Sequence, residues 1–245
     1  INRQKKAHVW INTSHVKDKQ LKEFSSQSSM NNDSIQKRVD SHPDRISLLN
    51  SIKSCGREKN VRKATILYNT VLKNNLIEDV YIATALVTAY SKCGMLEKAQ
   101  LVFDQMTMRN AMSWNALITG YCQHENNFEA LDCFHQMQQQ GLSHDAVTFS
   151  SILKACGSME AARAGKEIHA SISKEWLAAE NNLLGNALVD MYAKCGILEK
   201  AQDVIEELPI RDIVSWNVII SGYADQGQGY KALNCFEQLQ FDGVA

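Results

Sequence analysis

The feature that most limits what this chain can fold into is that it repeats itself. SKCGMLEKAQLVFDQMTMRNAMSWNALITGY, from Ser91 to Tyr121, returns as AKCGILEKAQDVIEELPIRDIVSWNVIISGY, from Ala193 to Tyr223. Trp216 follows Trp114 by 102 residues, and Cys195 follows Cys93 by the same interval. A second class of segment alternates with the first: LLNSIKSCGREKNVRKA around Cys55 and FSSILKACGSMEAARAG around Cys156 lie 101 residues apart. Matching starts divide the chain at Arg45, Val80, Ala111, Ala146, Asn182 and Ile213, with successive lengths of 35, 31, 35, 36 and 31. The units are therefore 45–79, 80–110, 111–145, 146–181, 182–212 and an incomplete 213–245. Periods of this size mean a solenoid, in which neighbouring units share one continuous core.

Each unit reads as two helices. In SWNALITGY, Trp114, Leu117, Ile118 and Tyr121 recur at i, i+3, i+4 and i+7 and so form one apolar stripe, helix A. After a polar break, Ala130, Leu131, Phe134 and Met137 share a face of helix B, and Gly141 supplies its stop. Cys93-Gly94 and Cys195-Gly196 stand where helix A must end, and glycine tolerates the left-handed backbone needed there. The pairs Glu97-Lys98 and Glu199-Lys200 read as charges on the solvent side of helix B. The fold class expected is all-α: a right-handed α-solenoid superhelix of antiparallel helix-pair repeats. Its last unit, without closing residues, is expected to fray and the natural chain to continue.

Composition bounds the function. A formal net charge of −1 argues against gripping nucleic acid by bulk charge, so any such binding must be local. No apolar run reaches the roughly 18 residues that a bilayer span needs, so no membrane is expected. The seven cysteines are an odd number with no CxxC pair, which points to small packing residues in a reducing compartment rather than a disulfide framework or a zinc site. Residues 1–43 are polar, rich in Ser, Lys and Asn, and without an apolar period; we expect a loose segment there, either a linker or atypical cap, or an organellar transit peptide weakened by Asp18, Glu23, Asp33 and Asp40. The array itself occupies 44–245.

The alternation of unit lengths, together with WNALITGY, NALVDMYAKCG, SSILKACGS and SWNVIISGY, resembles the plant pentatricopeptide repeat family in its P, L and S subclass, over about four-fifths of the chain. The tetratricopeptide family, the competing helical repeat, keeps a fixed period of about 34 residues and a proline near the end of its second helix. Here the lengths alternate and the chain has only two prolines.

The resemblance implies an array that binds single-stranded organellar RNA, one nucleotide per unit, with the fifth and last residues of each unit selecting the base. Carried over position by position, Thr84 with Asn110 is similar to pairs that prefer A; Asn115 with Asp145 is the pair associated with U; and Asn186 with Asp212 repeats it, with C tolerated. Asn217 implies a pyrimidine, its closing partner falling past residue 245. Leu49 with Asp79 and Ser150 with Asn181 receive no base, since a leucine side chain cannot hydrogen-bond one. The footprint implied is 5′-N-A-U-N-(U/C)-(U/C)-3′. The second residue of each unit sandwiches a base in the family; Val147 and Val214 match, Met112 and Leu183 (with Ile46) are near substitutes, and Tyr81 departs and could stack instead. Core packing is the equal alternative for each. Basic residues at the thirteenth position contact phosphate in the family, and Arg57, Lys92 and Lys194 occupy it here, against Gln123, Ser158 and Asp225.

Some relatives of this subclass end in a zinc-dependent cytidine deaminase domain. That chemistry needs metal ligands with a nearby glutamate, commonly HxE followed by CxxC. No histidine of this chain is followed two residues later by Glu, and CxxC is absent. GxSxG and phosphate-cradling glycine loops are absent too. The segment is expected to be no enzyme and to need no cofactor, metal or small-molecule substrate. The function implied is modular RNA recognition in organellar RNA processing or C-to-U editing, in a mitochondrion or chloroplast, with other RNA editing factors as further partners. The alternative is a protein-binding helical scaffold, which would favour larger apolar or charged anchors over Thr84, Asn115, Asn186 and Asn217.

Overall fold

Short polar residues at fixed intervals decide where the helices of this chain begin. Asp79, Asn110, Asp145 and Asp212 each stand just before a helix in extended backbone, and each accepts a hydrogen bond from a first-turn N–H. An N-cap of this kind contributes about 1 kcal/mol by satisfying one of the donors a helix start leaves open. A computed structural model describes residues 45–172 and 182–243. The polar segment expected over 1–43 lies outside the described residues.

Among the described residues there are twelve α-helices, one short 3₁₀ turn (Leu76–Glu78) and no strand. The odd-numbered helices are helix A of successive units: α1 (Arg45–Arg57), α3 (Val80–Lys92), α5 (Ala111–Gln123), α7 (Ala146–Ser158), α9 (Leu183–Lys194) and α11 (Ile213–Asp225). The even-numbered ones are helix B: α2 (Val61–Lys73), α4 (Leu96–Gln105), α6 (Asn127–Gln139), α8 (Ala162–Ser171), α10 (Leu198–Glu207) and α12 (Gly229–Phe241). The chain falls into two units, Ile1–Ser47 and Leu48–Ala245, and the packing described here belongs to the second. From α3 onward each helix A lies against its own helix B and against the next helix A, and each of α4, α6, α8 and α10 also touches the A helix that follows it. This is an α-solenoid: A helices form one wall, B helices the other, and the core runs between them.

That core is made of the expected stripes. Trp114, Leu117, Ile118 and Tyr121 of α5 and Ala130, Phe134 and Met137 of α6 are buried; Leu131 is half-buried. Phe103 meets Trp114 edge-on, ring centroids 4.6 Å apart, across a unit boundary. Buried phenols are anchored by the preceding helix B at matching positions: Tyr121 Oη donates to Gln100 Oε1 at 2.8 Å and Tyr223 Oη to Gln202 Oε1 at 3.1 Å. The short units end their B helices with an arginine. Arg109 donates to the carbonyls of Phe103 and Asp104, and Arg211 to those of Ile205 and Glu206, satisfying acceptors that α4 and α10 leave open.

The turn from helix A to helix B is the same in every unit. Its backbone passes through the left-handed region at the fifteenth residue, which is Lys59, Gly94, Glu125, Glu160, Gly196 or Gly227. Glycine takes that conformation freely, whereas a side chain there costs about 1–2 kcal/mol. Gly157 has a different task. A Cβ there would stand 3.2 Å from Met191 Cα, so the bare backbone lets α7 approach α9 closely.

One expectation needs correction. Lys98 is not simply on the solvent side of helix B: its Nζ donates to Thr65 Oγ1 of the preceding unit at 3.4 Å and lies 5.7 Å from the Tyr90 ring centroid, and burial lowers its pKa. In the unit 182–212 helix A runs from Leu183, and the Asn182 amide donates to Ile210 O at 2.9 Å. All seven cysteines are free thiols, and burial raises those of Cys122, Cys133 and Cys156 to about 12, so they behave as small packing groups. No helix of the described residues is long and apolar enough to cross a membrane.

Candidate nucleic-acid interface

The wall of A helices presents its fifth residues along a cleft of about 750 Å³ over α1, α3, α5 and the start of α7. Thr84 and Asn115 line it, with Tyr81, Met112 and Val147 as apolar neighbours and Lys53, Arg57 and Lys92 as its cations.

The two Asn–Asp pairs are assembled by the same geometry. Asp145 Oδ1 accepts from Thr148 N at 2.7 Å and so caps α7, while its Oδ2 accepts from Asn115 Nδ2 at 2.9 Å. Asp212 Oδ1 caps α11 through Ser215 N at 3.0 Å, and its Oδ2 accepts from Asn186 Nδ2 at 2.9 Å. One carboxylate therefore does two jobs, and because a carboxylate only accepts, the amide nitrogen must face it. That fixes which way each asparagine points. Asp212 has two further donors, Asn182 Nδ2 at 3.3 Å and Ser215 Oγ at 3.1 Å. Partial burial would raise the Asp212 pKa, but the hydrogen bonds from Asn186, Ser215 and Asn182 outweigh it and hold the carboxyl below the ordinary range.

The pairs differ at the other amide atom. Ser215 Oγ donates to Asn186 Oδ1, whereas Asn115 Oδ1 has no partner and the hydroxyl of Thr148, which replaces serine there, is also unpartnered. Thr84 and Asn110 are not brought together. Asn110 spends its side chain on a capping box with Ser113, and the buried Thr84 Oγ1 is left without a partner. Asp79 caps α3 through Tyr81 N and Ile82 N, and Leu49 is half-buried. Ser150 is half-buried and Asn217 exposed; Asn181 lies outside the described residues.

The second residues stand clear of the core. Tyr81 is 59% exposed, Met112, Val147 and Val214 more than half exposed, and Leu183 36%. Of the thirteenth residues, Arg57 and Lys92 reach the cleft, but Lys194 Nζ is held by Asp190 at 2.8 Å. Sequence reasoning passed over Lys53, although its place one turn after Leu49 on the same helix face was there to be read. It also passed over Ser215, whose hold on Asn186 crosses a unit boundary.

A profile described as the PPR repeat family matches residues 109–158, and one described as the PPR repeat matches 81–110, 186–213 and 214–244. The chain belongs to the pentatricopeptide repeat family. Similar pentatricopeptide repeat-containing proteins of Arabidopsis thaliana include At5g27110, 36% identical over 202 residues that make up 82% of this chain and 29% of that protein. The chloroplastic At5g55740 is 38% identical over 207 residues, 82% of this chain and 25% of that protein. The mitochondrial At3g09040 is 35% identical over 199 residues, 81% of this chain and 19% of that protein. The chain thus spans less than a third of the curated pentatricopeptide relatives it matches. Among solved structures, the maize pentatricopeptide repeat protein PPR10 superposes with a TM-score of 0.71 at 17% identity, covering 86% of this chain and 31% of that one. The same protein in complex with an 18-nt psaJ RNA element superposes with a TM-score of 0.69 at 19% identity, covering 83% and 31%. At such identities the likeness speaks for the pentatricopeptide fold.

Proposed function

We propose that this array binds single-stranded RNA in a sequence-specific way, one unit per nucleotide, in the processing or C-to-U editing of organellar transcripts. The observation that carries the reading is the Asn–Asp pair, built twice with the same 2.9 Å hydrogen bond and beside an exposed apolar second residue. A base fits between two such apolar side chains, and its Watson–Crick edge then meets an amide whose orientation the aspartate has already fixed. An amide so held offers its second N–H to a carbonyl such as uracil O4 or O2. Thr84, whose hydroxyl is buried and unpartnered, is assigned to A by its place as the fifth residue of the unit. The footprint follows as 5′-N-A-U-N-(U/C)-(U/C)-3′, in the unit order of the P, L and S subclass. The complex of PPR10 with an RNA element, and the presence of both chloroplastic and mitochondrial proteins among the relatives, support an RNA ligand and an organellar setting.

The test is fluorescence anisotropy of this chain with a short RNA of that footprint, against a control with A and U exchanged, at fixed low salt. The expected result is tighter binding of the first, and a loss on the order of 1–3 kcal/mol at the uridine for Asn115→Ala with relaxed selectivity there. Equal binding of both RNAs by the wild type refutes the base assignments. Failure to bind either refutes RNA recognition by this chain and favours a protein ligand for the cleft.

A further inference from the structure

We infer that the long units opening at Arg45 and Ala146 act as phosphate clamps, in which the ninth residue, Lys53 or Lys154, holds the backbone of the strand that the other units read. The inference rests on the RNA-binding reading above and assigns a role to units that reading leaves without a base.

The ninth residue of helix A lies one turn beyond the fifth and on the same face. In the unit starting at Arg45 the fifth and ninth residues are Leu49 and Lys53, and in the unit starting at Ala146 they are Ser150 and Lys154. The remaining units carry Thr88, Thr119, Asp190 and Ser221 at the ninth place. Lysine thus appears there only in the two units, opening at Arg45 and Ala146, to which the reading above gives no base.

The surroundings leave these cations available. Lys53 and Lys154 are exposed, and neither makes an ion pair among the described residues. Lys53 lines the cleft with Arg57, one turn further along α1, and Lys92 from α3. The single acid lining that cleft is Asp145, whose two oxygens are engaged by Thr148 N and Asn115 Nδ2. The cleft is therefore cationic although the chain as a whole carries a net charge of −1. The short unit starting at Asn182 shows the contrast: its ninth residue is Asp190, and this acid neutralises Lys194 at 2.8 Å. A phosphodiester anion matches an exposed ammonium such as that of Lys53 at the edge of this cleft and needs no base identity, and Lys154 holds the same register, exposed on α7.

The experiment measures affinity of the full chain for the footprint RNA between 50 and 200 mM salt, for the wild type, Lys53→Gln, Lys154→Gln, the double variant and Lys200→Gln, which removes an exposed lysine of helix B. Circular dichroism confirms that each variant is folded. One lost phosphate contact lowers the slope of log affinity against log salt by about 0.7, which narrows the wild-type advantage about 2.6-fold across that range. We expect this for each clamp variant, about twice the slope change for the double, an unchanged preference for the footprint over the A–U exchanged control, and no effect of Lys200→Gln. A slope unchanged by Lys53→Gln and Lys154→Gln while the wild type still prefers its footprint overturns the clamp and leaves the base reading standing. Loss of that preference in the clamp variants also overturns it, since the lysines would then be reading bases. Absence of RNA binding by the wild type removes both proposals together.

Discussion

Asp145 offers the sharpest separation of capping from pairing, because its two oxygens serve different partners. Oδ1 caps α7 through Thr148 N at 2.7 Å, and Oδ2 holds Asn115 Nδ2 at 2.9 Å. Replacing Asp145 by alanine removes both. Loss of the cap costs about 1 kcal/mol, and the bond to the half-buried asparagine adds roughly 0.5–1.5 kcal/mol, for a total of about 2 kcal/mol. Asp145→Ser keeps a side-chain oxygen for the cap and gives up only the reach to Asn115, so the expected loss is about 1 kcal/mol or less. Urea denaturation followed by far-ultraviolet circular dichroism reads the difference as a shift in midpoint at constant slope. A double-mutant cycle sharpens it. Asn115→Ala should cost less in the Asp145→Ser background than in the wild type, by the coupling energy of the pair. If serine proves as costly as alanine, the carboxylate is not acting as a cap. If Asn115→Ala costs the same in both backgrounds, the pair is a contact without energetic weight, and the account of how the asparagine is oriented fails with it.

Other outcomes are expected. At the left-handed fifteenth residue, Glu160→Gly and Glu125→Gly should stabilise by about 0.5–1 kcal/mol and Gly94→Ala destabilise by about 1 kcal/mol in thermal melts; a stabilising Gly94→Ala would contradict the turn geometry. Gly157→Val should wedge α7 from α9 and cost about 1–3 kcal/mol, while Gly229→Ala, where an added Cβ meets nothing within 4 Å, should be neutral or stabilising. Leu117→Ala, at a fully buried site, should cost about 2–5 kcal/mol by urea midpoint. Burial lowers the pKa of His144 and of His169, so the unfolded chain takes up these protons first as pH falls through about 6.5. Melting temperature should therefore drop between pH 7.5 and 5.5, and a flat profile would count against that burial.

The helices and the core were legible because the apolar stripe of Trp114, Leu117, Ile118 and Tyr121 leaves a helix of that length one face to bury. Gly94 and Gly196 marked their turns for the same kind of reason, as glycines where a left-handed residue is required. The equivalent turns at Lys59, Glu125 and Glu160 carry no local sign, since there the stacked core imposes a backbone that the residue itself disfavours. At the interface, the resemblance to the pentatricopeptide repeat family put Asn115 with Asp145 and Asn186 with Asp212, but it could not tell that Asn110 would turn to Ser113 and leave Thr84 alone. That choice depends on side-chain competition at a helix start, where a short amide can serve the cap or the neighbour. Lys194 illustrates the same limit: its register suits an anion, yet Asp190 lies one turn back and takes it first.

The N-cap of one helix A being the partner of the preceding fifth residue has a consequence for inheritance and engineering. The segment that is copied and the pair it builds are out of phase: Asn115 belongs to the unit 111–145, but it is held by a carboxylate whose own position depends on the first turn of α7. A graft cut at Asp145 would carry the asparagine and the carboxylate without the helix turn that steadies them, whereas one carried through Thr148 transfers all three. Each Asn–Asp pair is in this sense the joint property of two neighbours, and a unit that melts loosens the one before it.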